Sequence, residues 1–124
     1  MRRVLVVEDN PVNAFVALKQ LTALGFAGSA VASGSEAVNA IKTHMFDVIL
    51  MDCGLPDIDG FETARIIRDF EQGSLNGRRT PIIAVTLENG DDTLAKCISA
   101  GMDAHLPKPT SITELRDTLE RLSR

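Results

Sequence analysis

The sequence contains no tryptophan and no tyrosine, and only five phenylalanines among its 124 residues. A site that works by stacking broad aromatic faces on a flavin therefore has little to build with. Cysteine is equally scarce. Cys53 and Cys97 stand alone, without Cys-x-x-Cys spacing or a histidine cluster, which argues against zinc and a disulfide framework and points to a reducing compartment. Long apolar runs are missing too: Val4 to Val7 and Val48 to Met51 are far too short to cross a bilayer, and Met1-Arg2-Arg3 leads straight into a strand-like segment. A cytoplasmic location without direct membrane association is expected. Positive charge is also in short supply, since 13 Lys and Arg against 17 Asp and Glu leave a net charge of −4. The basic residues are scattered except at Arg2-Arg3 and Arg78-Arg79, so no phosphate-backbone footprint exists and direct nucleic-acid binding is not expected.

What is present has ordinary globular proportions. Hydrophobic residues make up 44% and charged residues 24%, and the length suits one domain over residues 1–124 that buries a core without staples. Unbroken apolar runs, Val4-Leu5-Val6-Val7, Val48-Ile49-Leu50-Met51 and Ile82-Ile83-Ala84-Val85, alternate with longer segments of helical period. Runs that are apolar at every position suit strands covered by helices on both faces, so the alternation predicts βαβ units around a parallel sheet. Two weaker strands fall near Gly28 to Ala32 and Ala104 to Leu106. The result is an α/β fold with strands near residues 3 to 7, 28 to 32, 47 to 52, 82 to 86 and 104 to 107, each followed by a helix.

Cap residues mark where helices begin and end. Asn10-Pro11 supplies an N-cap and a proline at the first helical position, while Ser33 to Glu36 and Ser111 to Glu114 have capping-box spacing. Gly25 and Gly101 suit helix ends. Leu94, Cys97, Ile98 and Gly101 form one helical stripe, and Ile112, Leu115, Leu119 and Leu122 another, which predicts two amphipathic surface helices. The polar stretch from Glu71 to Thr80, with Gly73, Asn76 and Gly77, predicts a loop between the third helix and the fourth strand. Asp57 and Asp59 suit turn and capping roles, Cys97 a core position, Cys53 a partly buried thiol and His44 the surface.

Open parallel sheets bind ligands beyond the C-terminal ends of their strands, where strand order reverses. Glu8 and Asp9 follow the first strand, Asp52 ends the third, Thr86 ends the fourth and Lys108 follows the fifth. In the flavodoxin-like order 2-1-3-4-5 the first and third strands are neighbours, which brings Glu8, Asp9 and Asp52 together. Clustered carboxylates repel and raise one another's pKa unless a cation intervenes. Oxygen-only ligands favour Mg²⁺. The Lys108 ammonium and Thr86 hydroxyl are donors that suit phosphoryl oxygens. Taken singly, each residue has a plainer role: an acid pair at a helix start, a turn aspartate, a strand threonine, a surface lysine. Co-placed on one sheet edge, they point to phosphoryl transfer to a carboxylate.

Over nearly its full length the sequence resembles the receiver domains of response regulators. The resemblance rests on Val6-Val7-Glu8-Asp9-Asn10, Met51-Asp52-Cys53-Gly54-Leu55-Pro56-Asp57-Ile58-Asp59-Gly60, Pro81-Ile82-Ile83-Ala84-Val85-Thr86 and Leu106-Pro107-Lys108-Pro109. The third and fourth motifs, with Ala100-Gly101-Met102-Asp103 between them, look most like receivers attached to hybrid sensor histidine kinases. The resemblance implies a (βα)5 doubly wound fold with strand order 2-1-3-4-5 and a role as a phosphorelay switch in a two-component system. Asp52 would take a phosphoryl group from a phosphohistidine of a histidine kinase or a histidine phosphotransfer domain. Glu8, Asp9, Asp52 and the Gly54 backbone carbonyl would hold Mg²⁺, and Lys108, followed by a bond to Pro109 that is often cis in the family, would bind phosphate. Thr86 would move toward the phosphoryl group, and His105, at the family's aromatic switch position, would report the movement. Such a domain is a signalling phosphoacceptor that promotes its own phosphorylation and dephosphorylation, not an enzyme with a separate substrate.

Some positions depart from the family pattern. Leu87 stands where a small residue is usual and is expected to crowd the phosphosite, and Gly54 replaces a larger polar side chain. Gly54 and Glu88 occupy positions that tune phosphate lifetime in the family. Leu87, together with a histidine at 105 where an aromatic switch residue is common, leaves an alternative, a pseudo-receiver that binds partners without taking phosphate. A flavodoxin-type electron carrier needs a phosphate loop rich in Gly, Ser or Thr after the first strand, where this chain has Glu8-Asp9-Asn10-Pro11. A Mg²⁺-dependent phosphatase with an aspartyl intermediate usually carries a second acid two residues after its nucleophile, where this chain has Gly54.

Overall fold

A computed structural model of the chain describes residues 2–74, 78–87 and 91–123. Strands and helices alternate along it: β1 (Arg3–Val7), α1 (Pro11–Ala23), β2 (Ala27–Val31), α2 (Gly34–Thr43), β3 (Val48–Asp52), α3 (Gly60–Gln72), β4 (Ile82–Thr86), α4 (Asp91–Ser99), β5 (Ala104–Pro107) and α5 (Ile112–Leu122). The strands pair in parallel as one sheet in the order β2-β1-β3-β4-β5, the doubly wound arrangement expected from the apolar runs and the resemblance.

Burial follows the character of each run. The uninterrupted apolar strands occupy the centre, with β3 buried at every position, while β2 and β5 form half-covered edges. Because successive strand side chains point to opposite faces, one set packs against α2, α3 and α4 and the other against α1 and α5. Leu5, Val7, Ile49, Met51 and Ala84 join Ala64, Ile67 and Cys97 in the first core. Val4, Val6, Leu50 and Ile83 join Leu21, Leu115 and Leu119 in the second. His44 is exposed and Cys53 half-buried, as expected.

Helix starts obey local chemistry. Asn10 Oδ1 accepts the Val12 and Asn13 amides at 2.9 and 3.1 Å, with Pro11 in the first turn of α1. Ser33 and Ser111 accept the amides of Glu36 and Glu114. The Glu36 carboxylate takes the Ala32 amide, one residue short of the reciprocal capping-box partner. Gly25 and Gly101 close α1 and α4 with φ of 87° and 86°, the left-handed region that favours glycine.

Two expectations are corrected. α3 continues through Gln72, so Glu71 is helical rather than in a loop: its buried carboxylate pairs with Arg68 at 2.6 Å and accepts the Thr80 amide at 2.7 Å. Asn76 and Gly77 of that stretch lie outside the described residues. On α4, Thr93 and Cys97 line up toward the sheet with Ala100 just beyond, leaving Leu94 43% and Ile98 65% exposed, so only part of the predicted stripe is core. Arg68 also donates to the Gly101 and Thr80 carbonyls and to Asp103, and Asp103 accepts from Arg79 and the Ile82 amide. This ionic knot fastens the N-terminal ends of β4 and β5, leaving the opposite sheet edge for the site.

Candidate functional site

The parallel register of β1 and β3, with Val7 opposite Met51, places Glu8 just past β1 beside Asp52. Carboxylate oxygens of Glu8, Asp9 and Asp52 all lie within 4.8 Å of one another, with Glu8 and Asp52 buried and Asp9 exposed. Lys108, just past β5, sends Nζ to within 3.0 Å of Glu8 Oε1 and 3.2 Å of Asp52 Oδ2. Its backbone N–H donates a hydrogen bond to the Thr86 carbonyl at 2.9 Å, and the Lys108–Pro109 peptide is cis. The Asn10 amide donates to Glu8 Oε2 at 3.2 Å and the Gly54 amide to Asp52 Oδ1 at 3.0 Å.

Burial raises the pKa of Glu8, and the hydrogen bond it shares with Asp52 raises it further, against the opposing pull of Lys108 and the Asn10 amide. Burial acts on Asp52 in the same sense but is outweighed there by hydrogen bonds from Glu8, the Gly54 amide and Lys108, so its pKa is lowered. Of the two, Glu8 is therefore the easier to protonate and Asp52 the one that holds its charge. Burial alone would lower Lys108, but its bonds to Glu8 and Asp52 win and raise it. With all three acids ionised, a single ammonium leaves two negative charges unbalanced. A hard divalent cation matches that surplus and an all-oxygen donor set. Cys53, next to the site, is inert as a nucleophile because burial pushes its thiol up to about 12.

Thr86 is buried at the end of β4, on the same face as Ala84 of the first core. His105 is half-buried on β5 between Ala104 and Leu106, which pack into the second core, so its side chain takes the same face as Thr86. With Ala84 opposite His105 and Thr86 opposite Pro107, the two predicted switch residues are diagonal neighbours on adjacent strands. A cleft of about 450 Å³ opens beside the carboxylates on the other face, lined by Asp52 and Lys108 with Val16, Ala17, Leu87 and Pro109 among others. Leu87 stands at its rim, 82% exposed, rather than packed down on the phosphosite as expected. Glu88 lies outside the described residues.

Asp59 caps α3 as expected, with Oδ1 accepting the Glu62 amide at 2.8 Å. Gly60 is a site determinant that sequence patterning did not single out. A Cβ there would lie 2.5 Å from the Asp52 carbonyl oxygen, so the start of α3 is seated directly on the backbone of Asp52. The Asp59-Gly60 pair at a helix start was the available signal, but nothing local says which backbone the glycine must approach.

Sheet order, acid cluster and inserted lysine together define a receiver-type fold and site. The chain matches the response regulator receiver domain family over residues 4–120 and belongs to that family. It is similar to the hybrid signal transduction protein dokA of Dictyostelium discoideum, at 37% identity over 116 residues that cover 94% of this chain and 7% of that protein. It is also similar to histidine kinase 5 of Arabidopsis thaliana, at 30% identity over 141 residues that cover 96% of this chain and 15% of that protein. The chain thus spans only a small part of the length of these relatives. Among solved structures, the receiver domain of a sensor histidine kinase from Pseudomonas aeruginosa PAO1, with a magnesium ion coordinated in its active site cleft, is 40% identical with a TM-score of 0.85, covering 98% of this chain and 96% of that one. A co-crystal structure of the Saccharomyces cerevisiae histidine phosphotransfer signaling protein Ypd1 with the receiver domain of its downstream response regulator Ssk1 matches at 30% identity and a TM-score of 0.89, covering 98% of this chain and 88% of that one. Among the described residues, no helix is long and apolar enough to cross a membrane.

Proposed function

We propose that residues 1–124 act as one cytoplasmic receiver unit of a phosphorelay, in which Asp52 accepts a phosphoryl group from a phosphohistidine of a histidine kinase or a histidine phosphotransfer domain. The observation that carries this is the Asp52 carboxylate held between the Lys108 ammonium and two further acids at the mouth of a cleft. Glu8, Asp9, Asp52 and the Gly54 carbonyl would hold Mg²⁺, which when bound would neutralise phosphoryl oxygens and offset the repulsion among the carboxylates. The all-oxygen cluster of three acids and the magnesium in the Pseudomonas aeruginosa relative support this assignment.

Asp52 attacks as a carboxylate, so no base has to remove a proton from it. Lys108 releases its bond to Asp52 and neutralises charge on the incoming phosphoryl oxygens, and the Thr86 hydroxyl orients them. The domain supplies positioning and charge and in this way promotes its own phosphorylation and, with water as the acceptor, its dephosphorylation. Movement of Thr86 vacates space that His105 enters, a coupling supported by their shared face on adjacent strands. Kinase relatives and the phosphotransfer protein in the yeast co-crystal support the partner class, including membership of a hybrid kinase. A reducing, cytoplasmic setting is supported by the two free thiols.

Mass spectrometry after incubation with Mg²⁺ and a small-molecule phosphodonor, with no kinase present, tests the proposal on wild type and Asp52→Asn. Wild type is expected to carry one aspartyl phosphate and Asp52→Asn none. Undiminished labelling of Asp52→Asn, or an unlabelled wild type, overturns it.

A further inference from the structure

Asp57 contributes no atom to the acid cluster, yet its carboxylate is heavily engaged. From the loop between β3 and α3 it accepts three bonds from the start of α2: Oδ1 from the Gly34 amide at 3.0 Å, and Oδ2 from the Ser35 amide at 3.1 Å and the Ser35 hydroxyl at 2.6 Å. Ser33 caps the same helix from within, accepting the Glu36 amide at 3.2 Å. Asp57 completes that cap from a distant part of the chain, where a negative charge also favours the helix dipole. The packing beneath is tight. A Cβ on Gly34 would lie 2.3 Å from Thr63 Oγ1 and 2.5 Å from Ile58 Cγ1, so only a glycine lets α2 meet the loop and α3 this closely.

The same loop carries the phosphosite. At its near end the Gly54 amide bonds Asp52 Oδ1 and Leu55 is buried in the core; at its far end the Gly60 amide bonds the Cys53 carbonyl at 3.1 Å. Between these anchors, Asp57 is the side chain that bonds the loop to α2. We propose that Asp57 is a positioning residue for phosphoryl transfer: by bracketing the loop onto α2 through Gly34 and Ser35, it holds Gly54 and the Asp52 carboxylate in the geometry that takes Mg²⁺ and phosphate. This rests on the site assignment above. Asp57 touches neither the metal nor the phosphoryl group and acts through the loop alone.

Calorimetric titration with Mg²⁺ and the rate of labelling by phosphoramidate are measured for wild type, Asp57→Ala, Ser35→Ala and the double variant, each first shown to be folded by circular dichroism at the assay temperature. Asp57→Ala is expected to weaken Mg²⁺ binding and slow labelling by about five- to tenfold, the scale of losing one ordinary net hydrogen bond. Ser35→Ala should cost a smaller factor, and the double variant no more than Asp57→Ala, because both remove one shared contact. A purely structural role would lower the melting temperature but leave both constants of the folded protein at wild-type values, and that result overturns the proposal. A wild type that neither binds Mg²⁺ nor becomes labelled overturns the site assignment instead. If Asp57→Ala does not fold, Ser35→Ala decides alone: unchanged Mg²⁺ affinity and labelling rate overturn the proposal.

Discussion

Gly60→Ala adds one methyl group directly behind the phosphoacceptor. The new Cβ would lie 2.5 Å from the Asp52 carbonyl oxygen, 2.8 Å from Cys53 Cα and 3.1 Å from the Asp52 carbonyl carbon. All three are backbone atoms, so no rotamer change relieves the overlap. The start of α3 and the end of β3 must part by about 0.9 Å to restore ordinary contact. Overpacking of this kind costs about 1–3 kcal/mol. Alanine returns about 0.4–1 kcal/mol through reduced freedom of the unfolded chain, so a net loss of about 1–2 kcal/mol is expected. Urea denaturation followed by far-UV circular dichroism should show a midpoint lower by about 0.5–1 M, given the usual slope for a small domain. The same shift pulls Asp52 away from its 3.2 Å contact with Lys108, so labelling by a small phosphodonor should slow as well. A midpoint at or above wild type, with an unchanged labelling rate, would refute the clash.

Lys108→Met should slow labelling of Asp52 about a hundredfold, the scale of losing a preorganised charge at the transition state, while Mg²⁺ binding persists because the ammonium competes with the cation for the same carboxylates. Loss of both together in calorimetry would count against separate roles. Glu71→Ala removes a partner of the half-buried Arg68 and the acceptor of the buried Thr80 amide, and should cost about 2–4 kcal/mol in urea denaturation; a loss below about 1 kcal/mol would mean that Asp103 alone satisfies Arg68. Hydrogen bonds from Ser35, the Ile58 amide and the Gly34 amide hold Asp57 well below the usual carboxylate range, so its contribution to stability is present above the unfolded value of about 3.9 and is lost as pH falls through the lower folded value. Wild type should therefore exceed Asp57→Asn by a constant margin above about pH 5, shrinking on acidification below about pH 4; a margin independent of pH would contradict the linkage.

Much of the site could be predicted before any geometry because its residues are local endings of local elements. Glu8, Asp9, Asp52, Thr86 and Lys108 each follow or end a strand, and a parallel sheet sends all strand ends to one edge. Gly60 and Asp57 were different. A glycine at a helix start and an aspartate in a turn look the same whether they touch solvent or the phosphoacceptor's backbone, and their partners, Asp52 and Ser35, lie elsewhere in the chain. Leu87 shows the converse, since the family pattern predicted crowding and the chain's path past β4 turned the side chain outward.

The sequence by itself determined the identity of the strands, the helix caps at Asn10, Ser33 and Ser111, and the residue types that meet at the site. These follow from burial period and from bonds between residues a few positions apart, which short windows contain. Only the tertiary structure decided that Glu71 belongs to α3, that Leu94 and Ile98 face outward, that burial and bonding push Glu8 up and Asp52 down, and that Asp57 and Gly60 hold the phosphoacceptor loop from two sides. Each of these depends on which distant groups share a low-dielectric space or a van der Waals contact, and that is set by how the helices seat on the sheet.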